Sequence, residues 1–401
     1  MKKSGNKSFT VVIGIITALL AVVLIRLIWI NIFDGSKYTQ AALSQTEKSA
    51  TTISAKRGDI VDCNGITLAT STKVYNLILD PKVILSDQDR YMEPTIAALH
   101  EYFDYESSEI RSLIMDNPSR SYIVLEKELT YAQIEDFVEK KAEKGSNIVG
   151  VWTEESYKRN YTFGNLASSV LGFMDGGKGA YGLEAWYDKE LTGVDGREYT
   201  YVNSDNNVET VVQEPENGYK LKLTLNETIQ SCVKRVMDKF MEEYPAKSAA
   251  CVIQDPNTGA ILAMEDTGDF DCNNPRDLSA FYTEEELDAM SDEEFVAALS
   301  ERWKNFCVTE TYEPGSTFKP FTLAAGLEEQ KVLMDDTYVC YGSSHFLDKD
   351  VYCHVRVGHG ELDTLGAIQE SCNVALMEMI QKIGPSIFVK YQNKFGFGQY
   401  T

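Results

Sequence analysis

Tyr312-Glu313-Pro314-Gly315-Ser316-Thr317-Phe318-Lys319-Pro320 and, 55 residues after its serine, Ser371-Cys372-Asn373 decide how this chain is read. Proline lacks a backbone N–H and is tolerated in a helix only within the first turn, where those groups have no partner anyway. Pro320 therefore places a helix start close to Ser316, and Phe321, Leu323, Ala324, Ala325 and Leu327 carry it on as an apolar helix. Residues three apart lie on one helix face, so Lys319 can aim its amine at the Ser316 hydroxyl, beside an N-terminus that favours developing negative charge. A serine is a poor nucleophile without a base. A lysine that is partly desolvated can lose its proton near neutral pH and serve as one. The pattern predicts a Ser/Lys acyl-transfer site without histidine, with Ser371 and Asn373 opening a second apolar helix beside it. Ser-x-x-Lys alone carries little weight, because Ser4-Gly5-Asn6-Lys7 and Ser231-Cys232-Val233-Lys234 match it too. The Pro-Gly turn, the apolar helix and the second motif single out Ser316.

Two further strings lie upstream. Arg57-Gly58-Asp59-Ile60-Val61-Asp62-Cys63-Asn64-Gly65-Ile66-Thr67-Leu68-Ala69 is one, and Gly179-Ala180-Tyr181-Gly182-Leu183-Glu184-Ala185-Trp186-Tyr187-Asp188, running on to Leu191-Thr192-Gly193-Val194-Asp195-Gly196, is the other. With the serine motifs they resemble the class B penicillin-binding proteins, membrane-anchored D,D-transpeptidases of peptidoglycan synthesis, along nearly the whole chain. Both strings are similar to that family's pedestal motifs, with Cys63 where an arginine is usual, a departure that weakens one charge pairing. The resemblance implies that Ser316 is acylated, that Lys319 is its general base, that Ser371 shuttles a proton and that Asn373 holds the substrate amide. The Ser316 N–H would be half of the oxyanion hole. The other half would come from a strand bearing a Lys-Thr-Gly type motif. The Lys-x-Gly that follows the second motif, Lys382-Ile383-Gly384, reads as a helix C-cap. Phe395-Gly396-Phe397-Gly398-Gln399-Tyr400-Thr401 is similar to a segment in the middle of the family's catalytic domain, so the chain is expected to be C-terminally truncated.

The expected architecture is α+β and multidomain. It comprises a cytoplasmic tail (1–8), a single transmembrane helix (9–33), a connector (34–50), an α+β pedestal or dimerisation domain (51–216) and the N-terminal part of a penicillin-binding/β-lactamase-like serine transpeptidase domain (217–401). The anchor rests on Phe9 to Phe33, which holds one charge, Arg26, and is long enough to cross a bilayer. Lys2, Lys3 and Lys7 before it place the N-terminus in the cytoplasm and the catalytic domain outside. Arg26 either snorkels to the headgroups or marks a helix–helix contact. In the latter case the resemblance implies a polytopic membrane glycosyltransferase as the partner. A net charge of −23 argues against nucleic acid.

Eight cysteines at irregular spacing do not read as a disulfide framework, although Cys340 and Cys353 flank a short segment that a bond would close. His345, His354 and His359 fall within 15 residues beside those two, a zinc-capable set. Against it, Val357-Gly358-His359-Gly360 resembles the family's approach to the second motif, so His359 is expected to shape a turn. Cys372 reads as a spacer, and no metal or cofactor is expected. Alternation makes Val74–Leu79 and Leu221–Leu225 strands, Glu227 opens an amphipathic helix, and residues 249–264 form a hairpin. Thr283/Glu286 and Ser291/Glu294 predict two capped helices. The reaction implied is attack of Ser316 on the D-Ala-D-Ala amide of a stem peptide and transfer of the acyl group to a neighbouring amine, with β-lactams acylating the same serine. A β-lactamase lacks a second base here. A non-catalytic scaffold of a wall-synthesis complex is the alternative of another class.

Overall fold

A stretch rich in β-branched residues, Thr67, Thr70, Thr72, Val74 and Ile78, makes Thr67–Leu79 a 13-residue strand, and it organises the first half of the molecule. The computed structural model describes Leu20 and residues 49–202, 208–244, 246–346 and 348–399. The tail, the anchor expected at 9–33 apart from Leu20, and most of the connector lie outside the described residues, among which no helix is long and apolar enough to cross a membrane. Two units divide between Thr309 and Glu310.

In the first unit, Thr67–Leu79 runs antiparallel to Val151–Tyr161 in unbroken register from Ala69↔Tyr161 to Leu79↔Val151. Its other edge is shared. Ile60–Val61 pairs with its start and Ile123–Leu129 with its end, while Leu221–Lys222 adds parallel to Ile60–Val61. The strand therefore feeds two cores. Leu77 and Leu79 pack beneath Met92, Ile96 and Leu99 of helix Gln88–Phe103, Ile114 of helix Ser107–Asp116, and Phe137 of helix Tyr131–Ala142. Leu68 and Ala69 instead join Leu171, Phe173, Leu225 and Phe270. Trp303 lies with its ring 4.9 Å from that of Phe173.

The two upstream motifs meet at a buried charge. Glu184 has no exposure, and its carboxylate lies between two arginines: Arg57 Nε donates to Oε2 at 2.7 Å and Arg159 Nε to Oε1 at 2.7 Å. Arg57 also reaches Asp188 at 2.7 Å and Thr192 at 2.6 Å. The glycines beside Glu184 are steric requirements. Gly182 has φ +58°, and a Cβ there would press on the backbone of Gly172. Cys63, at the position where arginine is usual, receives the Asn226 amide at 3.7 Å.

Several expectations hold as drawn. The helix opening at Glu227 runs Glu227–Glu243, Ala250–Gln254 and Ile261–Asp266 form an antiparallel hairpin, and both capping boxes open helices, Glu284–Ala289 and Asp292–Trp303. The strand expected at 221–225 is shorter, Leu221–Lys222. On the hairpin, buried Glu265 receives Gln230 Nε2 at 2.5 Å, with Lys234 3.9 Å away.

In the second unit, helices Lys319–Glu328, Asn373–Ile383 and Pro385–Lys394 pack with two antiparallel strand pairs, Thr337–Cys340 with Gly360–Asp363 and Ser343–Phe346 with Lys349–Tyr352. Val332, Tyr338, Ala375, Met379 and Ile383 fill the core between them. Gly384 ends the Asn373 helix with φ +77°, as the C-cap reading of Lys382-Ile383-Gly384 expects.

Removing Glu184 leaves two buried guanidinium groups facing each other, so Glu184→Ala is expected to lower unfolding free energy by about 3–5 kcal/mol, read by urea denaturation. A second expectation concerns pH. Burial pushes the Glu265 carboxyl from 4.5 up to about 7, with Lys234 opposing. Between those values the unfolded chain releases a proton that the folded chain keeps. Its stabilising contribution is thus full below 4.5 and falls by up to roughly 3 kcal/mol as pH rises to 7. Glu265→Gln should flatten that part of the pH–stability curve, and an unchanged slope would refute the assignment.

Candidate active site

The serine motif folds as a tight turn that runs into a helix. Gly315, with φ +60°, turns the chain into a 3₁₀ segment, Gly315–Phe318, and the α-helix proper begins at Lys319 with Pro320 in its first turn. The helix thus starts three residues later than a start at Ser316 itself. The Lys319 N–H still donates to the Ser316 carbonyl, which keeps the two residues one turn apart. Ser316 is exposed, and among the described residues its hydroxyl has no hydrogen-bond partner.

Half-buried Lys319 is the hub. Its Nζ donates to the Ser371 carbonyl at 2.7 Å, to Ser371 Oγ at 2.9 Å and to Asn373 Oδ1 at 2.7 Å. These use all three donors of an ammonium group. The Ser316 side chain is not among its partners, because the second motif supplies three acceptors at once. Burial pushes the Lys319 amine below its ordinary value, against an opposing pull from Cys353 and Cys372.

The second motif is shaped to receive that amine. Helix Thr364–Gln369 ends by turning Ser371 into the left-handed region, φ +49°, with Ser371 N–H bonded to Ile368 O and Cys372 N–H to Ala367 O. That conformation presents both oxygens of Ser371 to one side. Cys372 then caps helix Asn373–Ile383, its Sγ accepting from Ala375 N at 3.5 Å. Asn373 is held at both ends, since its Nδ2 donates to Tyr352 O at 3.0 Å while its Oδ1 faces Lys319. An open depression of about 310 Å³, lined by Lys319, Thr322, Val351, Asn373, Leu376 and Ile380, adjoins the hub.

All four site residues expected from sequence thus lie in one unit, and three of them are directly bonded. Sequence reasoning missed two features. Tyr352 fixes Asn373 through its backbone, which no side-chain motif reveals. Cys372, taken as a spacer, points its sulfur inward to Cys340, Cys353 and His359, all four ligand atoms lying within 4.8 Å of one another. His345 instead pairs with Asp350 at 2.8 Å in the open.

Known proteins resemble the chain in both halves. The penicillin-binding protein dimerisation domain matches residues 52–223, and the penicillin-binding protein transpeptidase domain matches 249–401. Stage V sporulation protein D of Bacillus subtilis is 28% identical over 98% of this chain and 57% of its own length. Peptidoglycan D,D-transpeptidase FtsI of Escherichia coli K12 is 25% identical over 98% of this chain and 62% of its own. The crystal structure of Penicillin Binding Protein 2X from Streptococcus thermophilus shares the fold, with a TM-score of 0.67 at 22% identity over 87% of this chain and 52% of that one. The chain spans less than two thirds of the length of these curated relatives.

The left-handed turn at residue 371 makes a simple expectation. Ser371→Gly and Ser371→Ala both lose the hydroxyl, but only alanine pays for φ +49°. The glycine variant should be the more stable by about 1 kcal/mol, measured as the difference in urea midpoints, reversing the usual order of the two residues.

Proposed function

Because the chain belongs to the penicillin-binding proteins, with a dimerisation module ahead of a transpeptidase module as in class B, we propose that it is a peptidoglycan D,D-transpeptidase whose acyl intermediate forms on Ser316. The observation that carries this reading is the Lys319 hub, which joins the helix following the nucleophile to the Ser371–Asn373 turn.

The chemistry follows from the donors and acceptors. As an ammonium, Lys319 has no lone pair for the Ser316 proton. On losing one proton it keeps two donors, so one of its three contacts must be exchanged. Ser371 Oγ is the contact that can change, because a hydroxyl can turn from acceptor to donor. Lys319 then keeps the Ser371 carbonyl and Asn373 Oδ1, and its lone pair serves as base. Ser316 Oγ attacks the carbonyl carbon of the penultimate D-alanine while its proton passes to Lys319. The Ser316 N–H, in the first turn, has no intrahelical partner and stabilises the oxyanion. Collapse breaks the amide bond, and the proton returns through Ser371 to the departing D-alanine amine. An amine from a neighbouring stem peptide attacks the acyl-enzyme and restores Ser316. Asn373 keeps one free N–H beyond its bond to Tyr352, available for the substrate amide. β-Lactams would follow the first half of this path and stop at the acyl-enzyme.

In this reading residues 51–216 are the pedestal, 217–401 belong to the transpeptidase domain, and the Phe9–Phe33 run anchors both outside the cell membrane. That run's single charge and the lysines before it support the topology. A membrane glycosyltransferase touching Arg26 fits the same arrangement.

Intact mass after incubation of the detergent-solubilised full chain with penicillin tests the proposal. A stable adduct in the parent protein, absent in Ser316→Ala, is the expected result. Folded parent protein that never forms an adduct would favour the scaffold reading. The pH dependence carries a sign as well. Acylation needs neutral Lys319, so its rate should rise with pH through the lowered Lys319 value and fall by 10²–10⁴ in Lys319→Met.

A further inference from the structure

We propose that Cys340, Cys353, His359 and Cys372 bind one zinc ion as a closed Cys₃His site that holds the second active-site motif in place. The four come from four separate elements. Cys340 ends strand Thr337–Cys340, Cys353 follows strand Lys349–Tyr352, His359 precedes strand Gly360–Asp363, and Cys372 caps helix Asn373–Ile383. Four elements nonetheless bring one sulfur or nitrogen each to a common point, every pair within 4.8 Å. A tetrahedral zinc with Zn–S of about 2.3 Å and Zn–N of about 2.05 Å has S···N edges near 3.6 Å and S···S edges near 3.8 Å. Cys353 Sγ and His359 Nδ1 are 3.5 Å apart.

Burial favours a metal over packing alone. The three cysteines are 2%, 1% and 0% exposed. Small buried thiols by themselves are ordinary. A half-buried imidazole brought against them is not, its Nδ1 lying 3.5 Å from Cys353 Sγ and all four ligand atoms within 4.8 Å of one another. A disulfide would join two of the sulfurs and leave the third thiol and the imidazole outside it, whereas a common ligand engages all four groups. The donor set, soft thiolates with one imidazole in a four-cornered cluster, suits zinc. Backbone N–H groups also face the sulfurs, Ala375 at Cys372 and Asn373 and Val355 at Cys353, as thiolate ligands require. Binding would release the three thiol protons to water and change no oxidation state.

With four protein ligands no coordination position is left for substrate, so the ion acts by position. Cys372 stands between Ser371 and Asn373, and Cys353 follows Tyr352, whose carbonyl holds the Asn373 amide. One ion would therefore fix the turn that presents Ser371 and the strand end that orients Asn373.

The test does not depend on transpeptidation. The full chain, purified in detergent without chelator, should carry about one zinc per molecule by elemental analysis, falling below about 0.2 in Cys353→Ser and in His359→Ala but not in the buried-cysteine control Cys272→Ser. If those variants unfold, the parent protein still decides. Cobalt substitution should give the charge-transfer and d–d bands of a tetrahedral thiolate site, and a zinc chelator should lower the Tm of the parent. A zinc-free protein with a Cys340–Cys353 disulfide by peptide mapping would overturn the proposal. So would zinc that is retained undiminished in folded His359→Ala.

Discussion

A charge taken out of water has to find its partners inside the protein, and that constraint shapes both units. Glu184 is fully enclosed and is tolerated only because Arg57 and Arg159 each present a guanidinium edge to one of its oxygens. Arg57 comes from the first upstream motif, Glu184 from the second, and Arg159 from the strand Val151–Tyr161. Three distant segments are thereby pinned to one point. Apolar packing alone would tolerate small slides at such a junction. A carboxylate with two fixed donors would not, because any slide exposes a buried charge without its partner.

The same constraint, applied more weakly, governs the serine motifs. Lys319 is half-buried, so its amine still pays for lost water and gathers three oxygens in return. Two of them belong to Ser371, which can offer both only by adopting a left-handed backbone conformation. Local strain at one residue is the counterpart of a well-satisfied amine at another. Desolvation meanwhile lowers the proton affinity of that amine, the direction a general base needs.

Much of this was legible in the sequence because it depends on local rules. Pro320 placed the start of a helix to within one turn, the two capping boxes marked helix starts, and residues 249–264 read as a hairpin. What stayed hidden was long-range. The partners of Glu184 are more than twenty residues away, so its burial could not be read from its neighbours. Of the cluster at Cys340, Cys353, His359 and Cys372, the first three stood in the sequence as part of a zinc-capable set, but the fourth did not. No two of its members stand within four residues, so the short Cys-x-x-Cys spacing that usually signals such a set is missing. Cys372 was further masked by its place inside a motif whose neighbours already had roles. The helix expected close to Ser316 opens as a 3₁₀ turn and becomes α-helical at Lys319, a distinction hidden because the two kinds of turn share the same sequence cues.

The strand Thr67–Leu79 serves two cores with one backbone. Its unbroken ladder with Val151–Tyr161 joins segments separated by all of the intervening helices, so the pairing must wait until a long loop has closed. Once formed, the ladder leaves neither core free to melt by itself, since losing either one would strip half of a continuous set of hydrogen bonds. The amides of Ala69 and Leu79, although they sit in different hydrophobic environments, should therefore exchange with deuterium through a single cooperative opening, and the first unit should behave as one foldon.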